Sequence, residues 1–122
     1  MDCLFCKIVN GEIPSFKIYE DDLVYAFLDI NPDCDGHTLL IPKKHYLDID
    51  EIPMDILNHI FEVAKKLKKI LEEKLNIEGL TFVQNNGDVQ EVKHFHLHLK
   101  PYYKNKSIKD VKEIYQILKD RD

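Results

Sequence analysis

Apolar and polar positions along this chain follow two different periods, and the switches between them outline its elements. Residues 3–10 read as a short helix ended by Asn10-Gly11, with Pro14 beyond. Phe16–Glu20 and Leu23–Leu28 are apolar, β-branched runs separated by Asp21-Asp22, which predicts a hairpin. Asn31-Pro32-Asp33-Cys34-Asp35-Gly36 is a turn-rich loop. His37–Ile41 then reads as a strand that stops at Pro42. From Pro53 to about Lys74 the period becomes helical. Leu57, Ile60, Phe61, Ala64, Leu67 and Leu71 form the stripe, while Lys65, Lys66, Lys68, Lys69, Glu72 and Glu73 fall outside it. Pro53 suits the first turn. Leu80–Asn85 is a further strand, closed by the turn signal Asn86-Gly87. Ile108 to about Leu118 is a helix with Val111, Ile114, Tyr115 and Leu118 on one face, and Ser107 with Asp110 fits a capping box. Hairpins with one long helix between them predict an antiparallel α+β fold in a single domain, residues 1–122.

Between the last turn and the last helix the chain reads His94-Phe95-His96-Leu97-His98-Leu99. A strand points successive side chains to opposite faces, so Phe95, Leu97 and Leu99 are expected in the core and the three imidazoles on the other face, neighbours roughly 6.5–7 Å apart. Half of the six histidines in the chain gather there. Imidazole exchanges a proton near neutrality, ligates metals and attacks electrophiles. The triplet alone leaves three readings open. It is a partial metal site, or a nucleophile with a flanking hydrogen-bond donor, or a set of solvated side chains.

Composition narrows the classes. A net charge of −5 argues against a grip on a nucleic-acid backbone, though a mononucleotide needs only a few local donors. With 44% apolar residues, no run long enough to span a bilayer and no charged-then-apolar leader, the chain is expected to be a soluble cytoplasmic protein away from membranes. The lysine run on the long helix reads as a solvated face. Cys3 and Cys6 form a C-x-x-C, and Cys34 stands alone as a loop residue. In a reducing compartment that pair favours metal binding over a disulfide, and two histidines would complete a Cys₂His₂ zinc set. The thioredoxin-type redox reading fails because no strand precedes the motif.

His94-Phe95-His96-Leu97-His98-Leu99-Lys100 resembles the motif of histidine-triad nucleotide-binding proteins. The likeness extends in order through Cys3-Leu4-Phe5-Cys6-Lys7-Ile8, Gly11–Ser15, Tyr19–Asp22, Ala26–Pro32 and Gly36–His45, covering residues 3 to about 101. The resemblance implies a five-stranded antiparallel sheet with a long central helix, joined to a second sheet across a homodimer. It implies a hydrolase acting at the α-phosphate of purine nucleoside phosphoramidates through a nucleotidyl-histidine, with diadenosine polyphosphate hydrolysis or low-turnover nucleotide binding as alternatives. His96 would be the nucleophile, His98 a donor to non-bridging oxygens, and His37 a supporting histidine. Leu4, Phe5, Ile8, Phe27 and Ile30 would form the base pocket, Asp29 would hold the ribose, and Asn85, Gln90 and Glu91 would line the phosphate. In zinc-bearing members of the family the ligands match Cys3, Cys6, His45 and His94, so His94 would be a ligand that steadies the triad. No redox or organic cofactor is implied. The expected partners are an AMP- or GMP-type mononucleotide, its phosphoramidate or anhydride derivatives, and a second copy of the chain.

The sequence also departs from the family pattern. Val89 stands where a glycine is usual, Glu91 where Ser or Thr is common, and Lys100 where an apolar residue is expected. These departures bear on substrate preference and rate rather than on fold.

Overall fold

The computed structural model describes residues 3–105 and 107–119. The order is α1 (Leu4–Val9), β1 (Lys17–Glu20), β2 (Val24–Leu28), β3 (Thr38–Pro42), α2 (Met54–Leu75), β4 (Gly79–Gln84), β5 (Leu97–Tyr102) and α3 (Val111–Lys119). Among the described residues the five strands form one sheet in the order β1-β2-β3-β5-β4, with every neighbouring pair antiparallel. The α+β fold expected from the pattern is therefore the fold observed.

Strand register divides the sheet into two chemically different faces. Ala26 lies opposite Leu40, Leu40 opposite Leu97, and Phe82 opposite Leu99. This face packs under α2 and α3, where Ile60, Val63, Ala64, Leu67, Leu71, Ile114 and Leu118 close a core with Val24, Ala26, Leu28, Leu40, Leu97 and Leu99. On the other face Phe27 lies opposite Leu39 and Leu39 opposite His98. There α1 lays Phe5 and Ile8 against Tyr25, Phe27, Leu39 and Ile41. That short helix covers the β2–β3 region and brings Cys3 and Cys6 to the sheet.

Three local expectations are corrected. Phe61 leaves the buried stripe of α2; Val63 takes its place, and Phe61 stays 42% exposed against Phe82, ring centroids 5.9 Å apart. The last helix starts at Val111, and its cap is Asp110, which accepts from the Lys112 amide; the Ser107 capping box does not form. The histidine triplet does not lie wholly on a strand, since β5 begins only at Leu97. Before that point the backbone bonds elsewhere, with Phe95 N–H donating to the Tyr46 carbonyl (2.7 Å) and His94 N–H to the Val92 carbonyl (2.9 Å).

The loop before β3 depends on Gly36. Its φ is +84°, and an added Cβ would meet Leu75 Cδ1 at 2.7 Å. The tight turn seats Gly36 against the end of α2, which stops at Asn76 in the left-handed conformation, φ 52°. That loop carries two of the groups that matter below.

Candidate active site and metal centre

Interrupting the strand before Leu97 lets the three imidazoles serve different ends. His94 is fully buried and turns toward α1, where its Nδ1 lies 3.4 Å from Cys3 Sγ and 3.6 Å from Cys6 Sγ. His45 Nδ1 is 3.5 Å from Cys6 Sγ, so four potential ligand atoms lie within 4.8 Å of one another. Sulfur and nitrogen ligands at tetrahedral angles around one zinc sit about 3.5–3.6 Å apart, from bonds of about 2.3 and 2.0–2.1 Å. The observed separations fit that edge length. The second nitrogen of His94 donates from Nε2 to the Pro42 carbonyl at 2.8 Å, which leaves the Nδ1 lone pair for the thiols. Burial pushes His94 down to about 4, so the ring is neutral, as a ligand must be.

His96 is buried beside Phe5, ring centroids 5.1 Å apart and nearly perpendicular. Its Nδ1 lies 2.8 Å from the His94 carbonyl. A carbonyl only accepts, so Nδ1 carries the proton and Nε2 keeps a free lone pair. Burial lowers its affinity for a second proton, opposed by the Glu91 and Asp29 charges. The ring therefore has the form a nucleophile requires: neutral, held in one tautomer, with one nitrogen free.

His98 sits on β5 with its ring 4.9 Å from that of His96. Its Nδ1 is 2.9 Å from His37 Nε2. The Asp33 amide donates to His37 Nδ1 at 3.1 Å. Since a backbone N–H only donates, neutral His37 carries its proton on Nε2 and gives it to His98 Nδ1, and neutral His98 then carries its own proton on Nε2. Burial lowers both rings, His98 to about 4, which keeps the pair neutral near pH 7. His37, expected as a supporting histidine, is thus bonded directly to His98 of the triad.

The remaining candidates divide. Asp29 is half-buried near His37, its Oδ2 3.7 Å from His37 Nε2 while Oδ1 accepts the Asn31 amide. Phe5, Ile8 and Phe27 pack into one cluster, Phe5 and Phe27 edge to face at 5.5 Å. Leu4 and Ile30 are exposed and available to a ligand, at 47% and 69%. Asn85 is half-buried after β4. Gln90 is buried, its Nε2 donating to the Leu47 carbonyl at 2.6 Å, and its Oε1 has no partner among the described residues. Glu91 is exposed and lines a cleft with Cys3, Leu4, His45 and Leu47.

Sequence reasoning missed the Pro42 and His94 carbonyls, because main-chain acceptors carry no residue signature. It also missed that the loop residue Asp33 orients His37. The signal that pointed there was the unusual Lys100, whose Nζ lies 2.8 Å from Asp33 Oδ2.

A family model described as HIT domain matches residues 10–105 of the chain. An uncharacterised HIT-like protein of Methanocaldococcus jannaschii is 52% identical over 103 residues, 83% of this chain and 79% of the relative. The adenosine 5'-monophosphoramidase HNT1 of Candida albicans is 48% identical over 105 residues, 81% of this chain and 69% of the relative. The crystal structure of a zinc-bound histidine triad family protein from Mycobacterium smegmatis superposes with a TM-score of 0.90 at 33% identity, covering 98% of this chain and 91% of that one.

Proposed function

The chain belongs to the HIT-domain family, and from that premise we propose that it is a nucleotide-binding hydrolase cleaving purine nucleoside phosphoramidates at the α-phosphate. The observation that carries the reading is the state of His96, buried and neutral, with Nδ1–H donated to the His94 carbonyl and Nε2 unprotonated and without a hydrogen bond among the described residues. The 48% identity to an adenosine 5'-monophosphoramidase supports the substrate class.

In the first step Nε2 of His96 forms a bond to the α-phosphorus while the phosphorus–nitrogen bond to the amine breaks, and the amine leaves as it takes up a proton from solvent. The resulting nucleotidyl-imidazolium keeps its Nδ1–H on the His94 carbonyl, which spreads the new positive charge. His98, with its proton on Nε2, donates to a non-bridging phosphate oxygen where negative charge grows. Water then attacks phosphorus and loses a proton to solvent, the phosphorus–Nε2 bond breaks with its electron pair returning to Nε2, and the mononucleotide is released. The exposed Leu4 and Ile30 and the Phe5–Phe27 cluster would receive the base. Asp29 would accept the two ribose hydroxyls, with Asn85 and Gln90 near the phosphate.

Zinc fits Cys3, Cys6, His45 and His94 by donor type and by spacing. With all four positions taken by the protein, the ion would be structural, tying the N-terminal segment to the histidine strand. The β4 edge, which pairs with no further strand among the described residues, and the exposed Phe61–Phe82 pair support a homodimer built across that edge. Solution scattering showing a monomer at micromolar concentration would argue against it.

The decisive experiment incubates the protein with an adenosine phosphoramidate and with a diadenosine polyphosphate, quenches early, and seeks a mononucleotide adduct on His96 by mass spectrometry. The expected outcome is an adduct on His96 and faster turnover of the phosphoramidate. Faster turnover of the polyphosphate would transfer the assignment to that substrate. Tight mononucleotide binding with neither adduct nor turnover would leave a binding protein.

A further inference from the structure

A neutral histidine favours a proton on Nε2 over Nδ1 only slightly, so its hydrogen-bond partners decide the tautomer. In His98 the choice comes from a chain of bonds. His98 Nδ1 faces His37 Nε2 at 2.9 Å, and His37 Nδ1 faces the Asp33 amide at 3.1 Å. The amide is the only member of the chain that cannot change roles, because a backbone N–H never accepts. If it moved away, both rings could switch together. His37 would take its proton on Nδ1, His98 would donate from Nδ1, and His98 Nε2 would present a lone pair to the phosphate oxygen it is meant to stabilise. The donor that favours the transition state would become a repulsive acceptor.

What keeps the amide in place is therefore part of the site. Asp33 lies in the loop before β3, itself 65% exposed at the side chain. Its neighbour Asp35 is held by the C-terminal segment, through Tyr103 Oη–H to the Asp35 carbonyl and the Lys109 amide to Asp35 Oδ1, each at 2.8 Å. Asp33 is held from the other side by Lys100, whose Nζ reaches its Oδ2 at 2.8 Å. Lys100 is two residues after His98 on β5, so the pleat sends both side chains to the same face. The lysine that breaks the expected apolar pattern is thus spaced to span from the histidine strand to the loop that orients His37.

We propose that the Lys100–Asp33 ion pair is a positioning strut that holds the Asp33 amide against His37 and so fixes the proton of His98 on Nε2. The pair is too exposed to contribute much to folding stability. Its effect is on the angle and distance of one amide, where a small displacement has a large effect on rate. The catalytic consequence rests on the role given to His98 above. The tautomer itself is a property of the free protein and does not.

The test is nitrogen-15 NMR of histidine-labelled protein without nucleotide, on the unaltered chain and on Lys100→Met, Asp33→Asn and Lys100→Arg, with turnover of an adenosine phosphoramidate measured in parallel. The unaltered protein is expected to show His98 protonated at Nε2. Lys100→Met and Asp33→Asn are expected to give mixed tautomers and a roughly tenfold lower kcat with KM changed by less than about twofold. Lys100→Arg is expected to keep both the Nε2 tautomer and kcat of the unaltered protein, because a guanidinium can still reach the carboxylate. His98 keeping one tautomer in both neutralised variants would overturn the proposal. So would a slow Lys100→Met beside an unaffected Asp33→Asn, since the lysine would then act on the substrate by its own charge. Failure of every form to hydrolyse the phosphoramidate would count against the proposed function, and the NMR comparison would still decide the strut.

Discussion

The two faces of the one sheet use the same strands for opposite purposes. Under α2 and α3 the buried set is apolar from Val24, Ala26 and Leu28 through Leu40 to Leu97 and Leu99, apart from Thr38, whose hydroxyl donates to the Gly36 carbonyl at 2.8 Å. Under and beside α1, the Phe5–Ile41 cluster adjoins buried His94 and His96, with buried His37 bonded to His98 at its margin. The first face holds the chain together by packing and is indifferent to charge. The second accepts the cost of burying imidazoles and recovers it with defined partners: the Pro42 carbonyl for His94, the His94 carbonyl for His96, and His37 for His98. Because strand side chains alternate, a single residue such as His98 can be chemical while its neighbours Leu97 and Leu99 are structural. Stability and reactivity are thereby set by separate residues only one position apart.

That separation can be broken on purpose. The largest effect belongs to the chemical face: His96→Ala should lower phosphoramidate turnover at least about a thousandfold, roughly 4 kcal/mol of barrier, while mononucleotide affinity by calorimetry stays within a few-fold. Turnover that survives would remove His96 as nucleophile. Next, Cys6→Ser should abolish the zinc expected at one ion per chain in elemental analysis and cost several kcal/mol of stability, because metal binding and folding are coupled. A fully stable, metal-free unaltered protein would show that α1 is held by packing alone.

On the structural face, Leu67→Ala should cost about 3 kcal/mol in denaturant unfolding, since Leu67 is fully buried against the sheet, yet leave kcat per folded molecule unchanged. A fall in kcat equal to that of His98-linked variants would show that the faces are coupled. The smallest effect lies at the edge of that face. Asp21 accepts from His59 Nε2 (2.7 Å), Tyr19 Oη (2.8 Å) and the amides of Leu23 and Val24. Burial would raise its carboxyl, but those hydrogen bonds prevail and bring it down to about 2 from the ordinary 3.8. A folded value below the unfolded one means the contribution is full above pH about 4 and is lost as pH falls through about 2. Asp21→Asn should therefore lower stability by about 1 kcal/mol at pH 7, the partly exposed site being screened, and the two stability curves should approach each other as pH falls toward 2.

Much of the fold was legible because hydrophobic period is a local property. The β1–β2 hairpin, the strand ending at Pro42 and the long helix from Pro53 lie where their patterns predict. Phe61 was misplaced because a helical stripe read from sequence is wider than the surface that buries it, and only the neighbouring Phe82 explains why an aromatic ring remains outside. The Ser107 cap failed because Ser107 lies several residues before the first helical residue, and Asp110 caps instead. At the site, the triplet announced its chemistry, yet alternation alone placed all three rings together. The turn at residues 91–96 instead sends His94 to the cysteines and leaves His96 beside His98.

By itself the sequence determined which residues alternate, where turns interrupt them and which side chains carry chemistry, because those depend on near neighbours and on intrinsic acidity and nucleophilicity. Only the folded chain decided which nitrogen of each imidazole carries its proton. That depends on acceptors and donors brought in from Pro42, from Asp33 and from Lys100 across the sheet, and hydrogen-bond direction is a property of partners in space, which linear order does not encode.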